Sequence, residues 1–415
     1  MSIHVVGVLG LALVFLIGTL RPINLGALAL AMTFLVGGFV GGESGQKLAA
    51  GFPVDLLVLL AGVTYLFSIA QRNGTVETVI RKSAGVVAGR RALLPWVVFV
   101  LAALPAMAGA LGSAGVAMLA PFSLRLAERY QIDRRMIGLM VVHGAGAGNF
   151  SPLNVLGAIV QQAVTQAGLS LSAGALFRAN LFYNVALAGI VFLAFGGLRL
   201  GAPLPVAAAP PDEESRDRFG SDQVFTLLAL VGVAVGAFGY GLNIGFLAFV
   251  AAAALQLAFP KTGAGAEKGI AWDTVLLVCG LVTYVAALQR FGTVEAAGAA
   301  IARVGTPGWT ALLLCAIGAV TSAFASSAAI LGALVPLAVP LMARGEVATT
   351  GMVVALAISA TVVDATPFST VGALVVASAA EAERPSVYRG LLVWGALMAV
   401  SAPPLTWLLF VAGGK

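Results

Sequence analysis

Apolar runs of roughly eighteen or more residues recur from one end of this chain to the other. In hydrocarbon every backbone N–H and C=O must find its partner within the protein, so runs of that length, too long for barrel strands of about ten residues, read as spanning α-helices. Composition agrees: of 415 residues 60% are hydrophobic, and mean hydropathy is +1.02. Charged residues make up 10%, whereas an ordinary soluble domain carries about 25%. The chain is therefore read as an all-α polytopic membrane protein. A net charge of +6 and a pI near 9.6 do not point to nucleic acid, because the basic residues lie singly or in pairs between apolar spans, where membrane topology accounts for them. Cys279 and Cys315 both fall inside apolar segments, which leaves neither a disulfide framework nor a Cys-rich metal site. With two histidines, one of them His4, a multi-histidine catalytic centre is disfavoured, and no cofactor is expected. The first run has no basic leading region and reaches Arg21 and Pro22 without a small-residue cleavage site, so it reads as a retained helix.

A polar, proline-rich stretch at 201–223 divides the chain nearly in half, and the halves repeat each other. "VDLLVLLAGVTYLFSIAQRNGTVE" from Val54 answers "WDTVLLVCGLVTYVAALQRFGTVE" from Trp272; "INLG" at Ile23 answers "LNIG" at Leu242. "MLAP" ending at Pro121 answers "ALVP" ending at Pro336, and "NFSPLNVLGA" from Asn149 answers "DATPFSTVGA" from Asp364. Every match keeps an offset of 215 to 219 residues and the same order. The shared residues are Asp, Gln, Glu, Asn and Pro rather than the Leu, Ala and Val that chance would align.

Repeat 1 spans 1–200, with scaffold helices within 3–71, an amphipathic arm at 75–89, a double segment at 93–128, a long interrupted helix at 135–168 and a span at 176–198. Repeat 2, after the linker 201–223, spans 224–415: scaffold helices within 224–290, an arm at 293–304, a double segment at 308–343, an interrupted helix at 347–380 and a span at 386–411. The arms of each double segment fit a re-entrant hairpin about as well as two short spans. As hairpins they leave five crossings per half, an odd number, which inverts the halves relative to each other. With the basic cluster from Arg72 to Arg135 in the cytoplasm, 17 of the 23 Lys and Arg fall on the cytoplasmic side. That asymmetry favours two inverted-topology repeats, each of five transmembrane helices plus a re-entrant hairpin, with both termini extracytoplasmic and the linker cytoplasmic.

Inverted repeats with helices broken at corresponding places form the physical pattern of a secondary transporter. Pro152 and Pro367 each remove a donor and clash with the preceding turn, and the backbone groups so freed are tolerable in a membrane only where they line a cavity or hold a ligand. Ser151, Asn154, Thr366, Ser369 and Thr370 supply short polar groups suited to a hard cation, while helix N-termini past the breaks and at the hairpin tips suit a carboxylate. Asn149 and Asp364 open the two copies. Asp364 is the acidic residue deep in an apolar segment, and it reads either as a coupling-ion contact or as a structural hydrogen-bond acceptor. His143 reads either as a structural, capped histidine or as a proton relay. The Thr-Tyr pairs and Gln71–Glu77 with Gln289–Glu295 read as interfacial supports.

On these elements the chain resembles the ion transporter superfamily, in particular the divalent anion:sodium symporters and MatC-type dicarboxylate (malonate) carriers. "FSPLN", Phe150 to Asn154, is similar to the Gly-Thr-Pro-Pro-Asn element of the symporters, and "ATPFS", Ala365 to Ser369, to its second copy. At the tips, where symporters carry Ser-Asn-Thr, this chain has Leu111-Gly112-Ser113 and Ser326-Ser327-Ala328. The resemblance implies substrate contacts at Gly112, Ser113, Ser151, Pro152, Asn154, Ser326, Ser327, Thr366, Pro367 and Ser369. It implies cation contacts, for sodium, at Ser113, Asn149, Ser151, Asn154, Ser327, Asp364, Thr366, Ser369 and Thr370. Asp364 has no counterpart in the symporter pattern, which leaves proton coupling open. The expected protein is a homodimeric, multi-pass carrier of the bacterial inner membrane, in contact with the lipid bilayer, moving a small dicarboxylate (malonate or C4 class) with Na+ or H+ by an elevator displacement. The alternatives are an anion exporter, a sodium/proton antiporter or the membrane subunit of a tripartite carrier. An intramembrane enzyme is remote, because His143, Asp364, Cys279 and Cys315 form no known catalytic spacing.

Overall fold

The computed structural model describes residues 2–21, 23–85, 91–201, 219–293, 296, 305–323 and 326–413. The second arm expected over 293–304 lies almost wholly outside them, as does most of the linker. Among the described residues every regular element is helical. The scaffold side of the first half holds α1 (Ile3–Leu20), α2 (Leu25–Met32, continued by a wider π turn over Thr33–Val40) and α3 (Val54–Arg72), followed by the arm α4 (Thr75–Gly85). The hairpin is α5 (Leu94–Met107) and α6 (Gly112–Arg129), the broken helix is α7 (Arg134–Gly148) and α8 (Val155–Gln166), and α9 (Ala173–Ala194) closes the half.

The second half answers with α10 (Ser221–Tyr240), α11 (Ile244–Ala258) and α12 (Trp272–Arg290). Its hairpin is α13 (Pro307–Ser322) and α14 (Ser327–Ala343), and its broken helix is α15 (Thr349–Thr361) and α16 (Thr370–Ser378). The last helix, α17, runs Arg384–Thr406. Among the described residues five helical stretches are long and apolar enough to cross a bilayer, among them Val54–Arg72 and Ala173–Ala194, and shorter apolar helices lie between them.

Side-chain caps set several starts. Asn24 accepts from the amides of Gly26 and Ala27 to begin α2, and its match Asn243 accepts from Phe246 to begin α11. Past those caps the halves exchange partners. The backbones of α2 and α12 touch: a Cβ on Gly26 would lie 1.9 Å from the Leu276 carbonyl oxygen, and one on Gly280 would lie 2.1 Å from that of Gly26. The mirrored contact joins α3 to α11, where a Cβ on Gly62 would lie 2.4 Å from the Gly245 carbonyl oxygen. Glycine is required on both sides because small residues alone let membrane helices approach so closely. The matched tyrosines reinforce the exchange: the Tyr284 hydroxyl donates to the Gly7 carbonyl at 2.8 Å, tying α12 to α1, and that of Tyr65 bonds Gln256, tying α3 to α11.

The resulting apolar clusters are paired as well. Val14, Ala29, Leu281 and Tyr284 form one, and Val63, Leu66, Val233 and Ala248 form its counterpart. Both hairpins, both broken helices, α9 and α17 share a separate, larger core. A thin aliphatic seam, including Leu56, Leu60, Ile159, Val278 and Ala328, joins that core to the scaffold.

Away from the core, Glu43 accepts a two-pronged contact from Arg290 at 3.0 and 2.7 Å. This hydrogen bond, with the guanidinium charge, holds the Glu43 carboxyl below its ordinary range. A carboxylate whose folded pKa is depressed contributes stability above its unfolded value, about 4.3, and loses it as pH falls through the folded one. Glu43→Gln is therefore expected to lower the melting temperature by a constant amount at neutral and alkaline pH and to flatten the acid limb of the curve.

Candidate functional site

At the first break, α7 ends at Gly148, and Phe150 takes the left-handed conformation (φ 62°), a strained choice for a side chain of that size. Its ring, 1% exposed in the core, holds it there. Pro152 and Leu153 make the turn, and α8 restarts with Asn154 as its cap, accepting from the Leu156 amide at 2.9 Å. At the second break a short 3-10 turn over Val362–Ala365 follows α15; Pro367 and Phe368 make the turn, and Ser369 caps α16 through the Gly372 amide at 3.0 Å.

Each break is tied to the end of its hairpin's first arm. The Ser151 hydroxyl donates to the Met107 carbonyl at 2.7 Å, and the matched Thr366 hydroxyl donates to that of Ala323 at 2.9 Å. Asn154 adds bonds from its amide to the Ala106 and Ala110 carbonyls, at 2.9 and 3.4 Å. Hairpin tip and helix break thus form one rigid corner in each half, and the two corners face each other.

Between them lies a cavity of about 500 Å³. Of the residues singled out in the sequence, Gly112, Ser113, Asn149, Asn154, Ser326, Ser327, Asp364 and Thr370 line it. Ser151, Pro152, Thr366, Pro367 and Ser369 do not; they stand behind the wall and fix its shape. Tip helices α6 and α14 present N-termini that no side chain caps, since neither Leu111 nor Ser326 bonds its own first turn. The amides there face an opening where an anion is favoured.

The acidic groups are unusual. Both carboxylate oxygens of Asp364 sit 2.7 and 2.8 Å from the Ser327 hydroxyl, which is itself 3.0 Å from that of Ser322. Asp273, at the start of α12, also lines the cavity, and among the described residues no lysine or arginine does. Asp273 and Thr274 line the cavity together with Thr370 and Val371 of α16. At the corresponding place in the first half, Leu56 and Leu60 of α3 are packed into one buried cluster with Val155 and Ile159 of α8. The halves therefore meet the scaffold differently, packed against it at α8 and sharing the cavity wall with it at α16.

His143 is held at both nitrogens. The Trp394 indole, a donor only, lies 2.8 Å from Nε2, so Nε2 accepts and the proton is on Nδ1, which donates to Asn184 Oδ1 at 3.1 Å. Asn184 passes the chain to Asn180 at 3.1 Å, and the Asn180 amide donates to the Gly146 and Asn149 carbonyls at 2.8 and 3.0 Å. The histidine is thus the capped one, fixed in its neutral tautomer as the middle of a directed chain from α17 to the first break. Trp394→Phe removes the donor and leaves Nε2 buried without a partner. It is expected to cost about 1–3 kcal/mol of stability, read as a lowered melting temperature of the purified protein. Asn180, Asn184 and Trp394 went unnoticed in the sequence because none has a polar match in the other half; Asn180 and Asn184 answer to Gly395 and Ala399.

The fold and site define a membrane transporter built of two repeats around paired broken helices. Family models agree half by half: the description "Dicarboxylate carrier protein MatC N-terminus" matches residues 1–149, and "Citrate transporter" matches residues 227–413. No curated protein sequence matches the chain. Among solved structures, the YdaH transporter of Alcanivorax borkumensis, described as having an unusual topology, aligns with a TM-score of 0.60. The alignment covers 87% of each chain at 12% identity, a likeness of fold. Both matching models, those of dicarboxylate and citrate carriers, are of transporters in the ion transporter superfamily that the chain resembles.

Proposed function

We propose that this protein is a secondary active carrier for a small dicarboxylate of the malonate or C4 class, driven by Na+ or H+ in a bacterial inner membrane. One observation carries the reading: two uncapped helix N-termini, suited to an anion, open into a cavity whose described lining holds two carboxylates and neither lysine nor arginine. A dianion there is repelled by Asp364 until a cation neutralises that carboxylate, because opposed and like charges count for far more in a partly dry site than in water. Cation and substrate then bind together, and neither binds well alone, which is what coupling requires.

The seam between core and scaffold supports an elevator-type displacement. Its contacts are aliphatic and non-directional, so the core can slide without breaking a polar network. The cavity reaches Asp273 and Thr274 at the start of α12, an end of the scaffold for which the charge asymmetry supports a cytoplasmic reading. A homodimer with the scaffold at its interface keeps one body fixed while the other moves.

The test is uptake of labelled malonate, succinate and citrate into proteoliposomes, with sodium and pH gradients imposed separately. The proposal expects accumulation of a dicarboxylate under one of the two gradients. Citrate is included because the second half matches a citrate transporter family model. Failure to accumulate any of the three under either gradient would sink the reading.

A further inference from the structure

The two breaks differ in what fills them. At the first, the carbonyls of Ala106, Met107, Ala110, Gly146 and Asn149 all accept from side-chain donors, supplied by Ser151, Asn154 and Asn180. The Asn180 nitrogen has two hydrogens and places one on each of two carbonyls at the end of α7, where the negative end of the helix dipole would otherwise draw a cation. A hard cation needs several oxygen lone pairs turned toward it, and here each of these carbonyls already accepts a side-chain N–H or O–H.

The second break keeps part of this arrangement, since Thr366 donates to the Ala323 carbonyl and Ser369 to those of Asp364 and Thr366, but it differs at two places. Asn180 is answered by Gly395, where a Cβ would lie 2.4 Å from the Thr366 methyl group, so no amide fits. Asn149 is answered by Asp364, whose two oxygens offer about four lone-pair sites, and the one hydroxyl of Ser327 serves both oxygens. Ser322 stands behind it at 3.0 Å and adds a further oxygen.

We propose that the carrier binds one coupling cation, at Asp364, Ser327 and Ser322 of the second half, and that the Asn180 amide permanently occupies the matching place in the first. This rests on the cation-coupled reading above. Its consequence is one cation per substrate, whichever cation drives the cycle, despite a duplicated architecture with room for two.

The test uses the full chain in proteoliposomes, with initial uptake measured against sodium at fixed pH and against pH without sodium. Wild type is expected to follow the driving cation with a Hill coefficient of about 1. Asp364→Asn is expected to lose all cation dependence, together with any cation-induced rise in the melting temperature of the purified protein. Asn180→Asp, which trades two donors for a carboxylate, is expected to raise the order of the cation dependence above one. A wild-type coefficient near 2, or an Asp364→Asn protein that keeps a cation-induced thermal shift, overturns the single site while leaving coupled transport intact. A folded Asn180→Asp protein that stays first order overturns the assignment of Asn180. Wild-type uptake indifferent to both cations sinks the coupled reading and this inference with it. Should Asn180→Asp fail to fold, the wild-type coefficient and the Asp364→Asn thermal shift still decide the number of sites.

Discussion

Asp364→Asn is expected to reduce gradient-driven uptake to the level seen without a gradient. Coupling between two ligands on one protein amounts to about 1–3 kcal/mol, or 5- to 150-fold in affinity. A loss of at least about tenfold, 1.4 kcal/mol, follows if the carboxylate carries that coupling. The substitution keeps the shape of the side chain, so Ser327 and the end of the 3-10 turn have little reason to move. Exchange of labelled for unlabelled substrate should survive, because the uncharged amide that replaces the carboxylate no longer repels the anion. Loss of exchange as well as of gradient-driven uptake would mean that Asp364 shapes the site rather than couples it.

Gly26→Val is expected to be the most damaging single change in the scaffold. The added Cβ would stand 1.9 Å from the Leu276 carbonyl oxygen, and the obstacle is backbone, which cannot rotate aside. Overpacking of a buried contact costs about 1–3 kcal/mol where side chains can yield, and more is expected here. Fluorescence-detected size-exclusion and thermal unfolding should show aggregated or strongly destabilised protein. Gly62→Val, facing the Gly245 backbone across the mirrored contact, should behave alike. Unequal effects would show that the two exchanged contacts are not equivalent.

Much of this architecture was legible because the chain repeats itself. Asn149 pairs with Asp364 and Pro152 with Pro367 at the two breaks, and among the described residues the helices end within a few residues of the segment bounds read from the sequence. What is not duplicated leaves no such trace. Asn180, Asn184 and Trp394 emerge from apolar helices only when α9 and α17 close on α7. Ser151 and Thr366 hold the hairpin carbonyls, a partnership between segments 44 and 43 residues apart that no local pattern encodes. The π turns that continue α2 over Thr33–Val40 and α17 over Trp407–Ala412 likewise have no sequence signature.

The exchanged glycine contacts bear on how this protein is made. Gly26 and Gly280 are 254 residues apart, so the second helix enters the membrane long before the helix it packs against has been synthesised. At 5–20 residues per second the wait is roughly 13 to 50 s. Through that interval a glycine face shaped for another helix meets only lipid or a passing stranger, and α3 waits in the same way for α11. Neither half can settle by itself: each is the template on which the other folds.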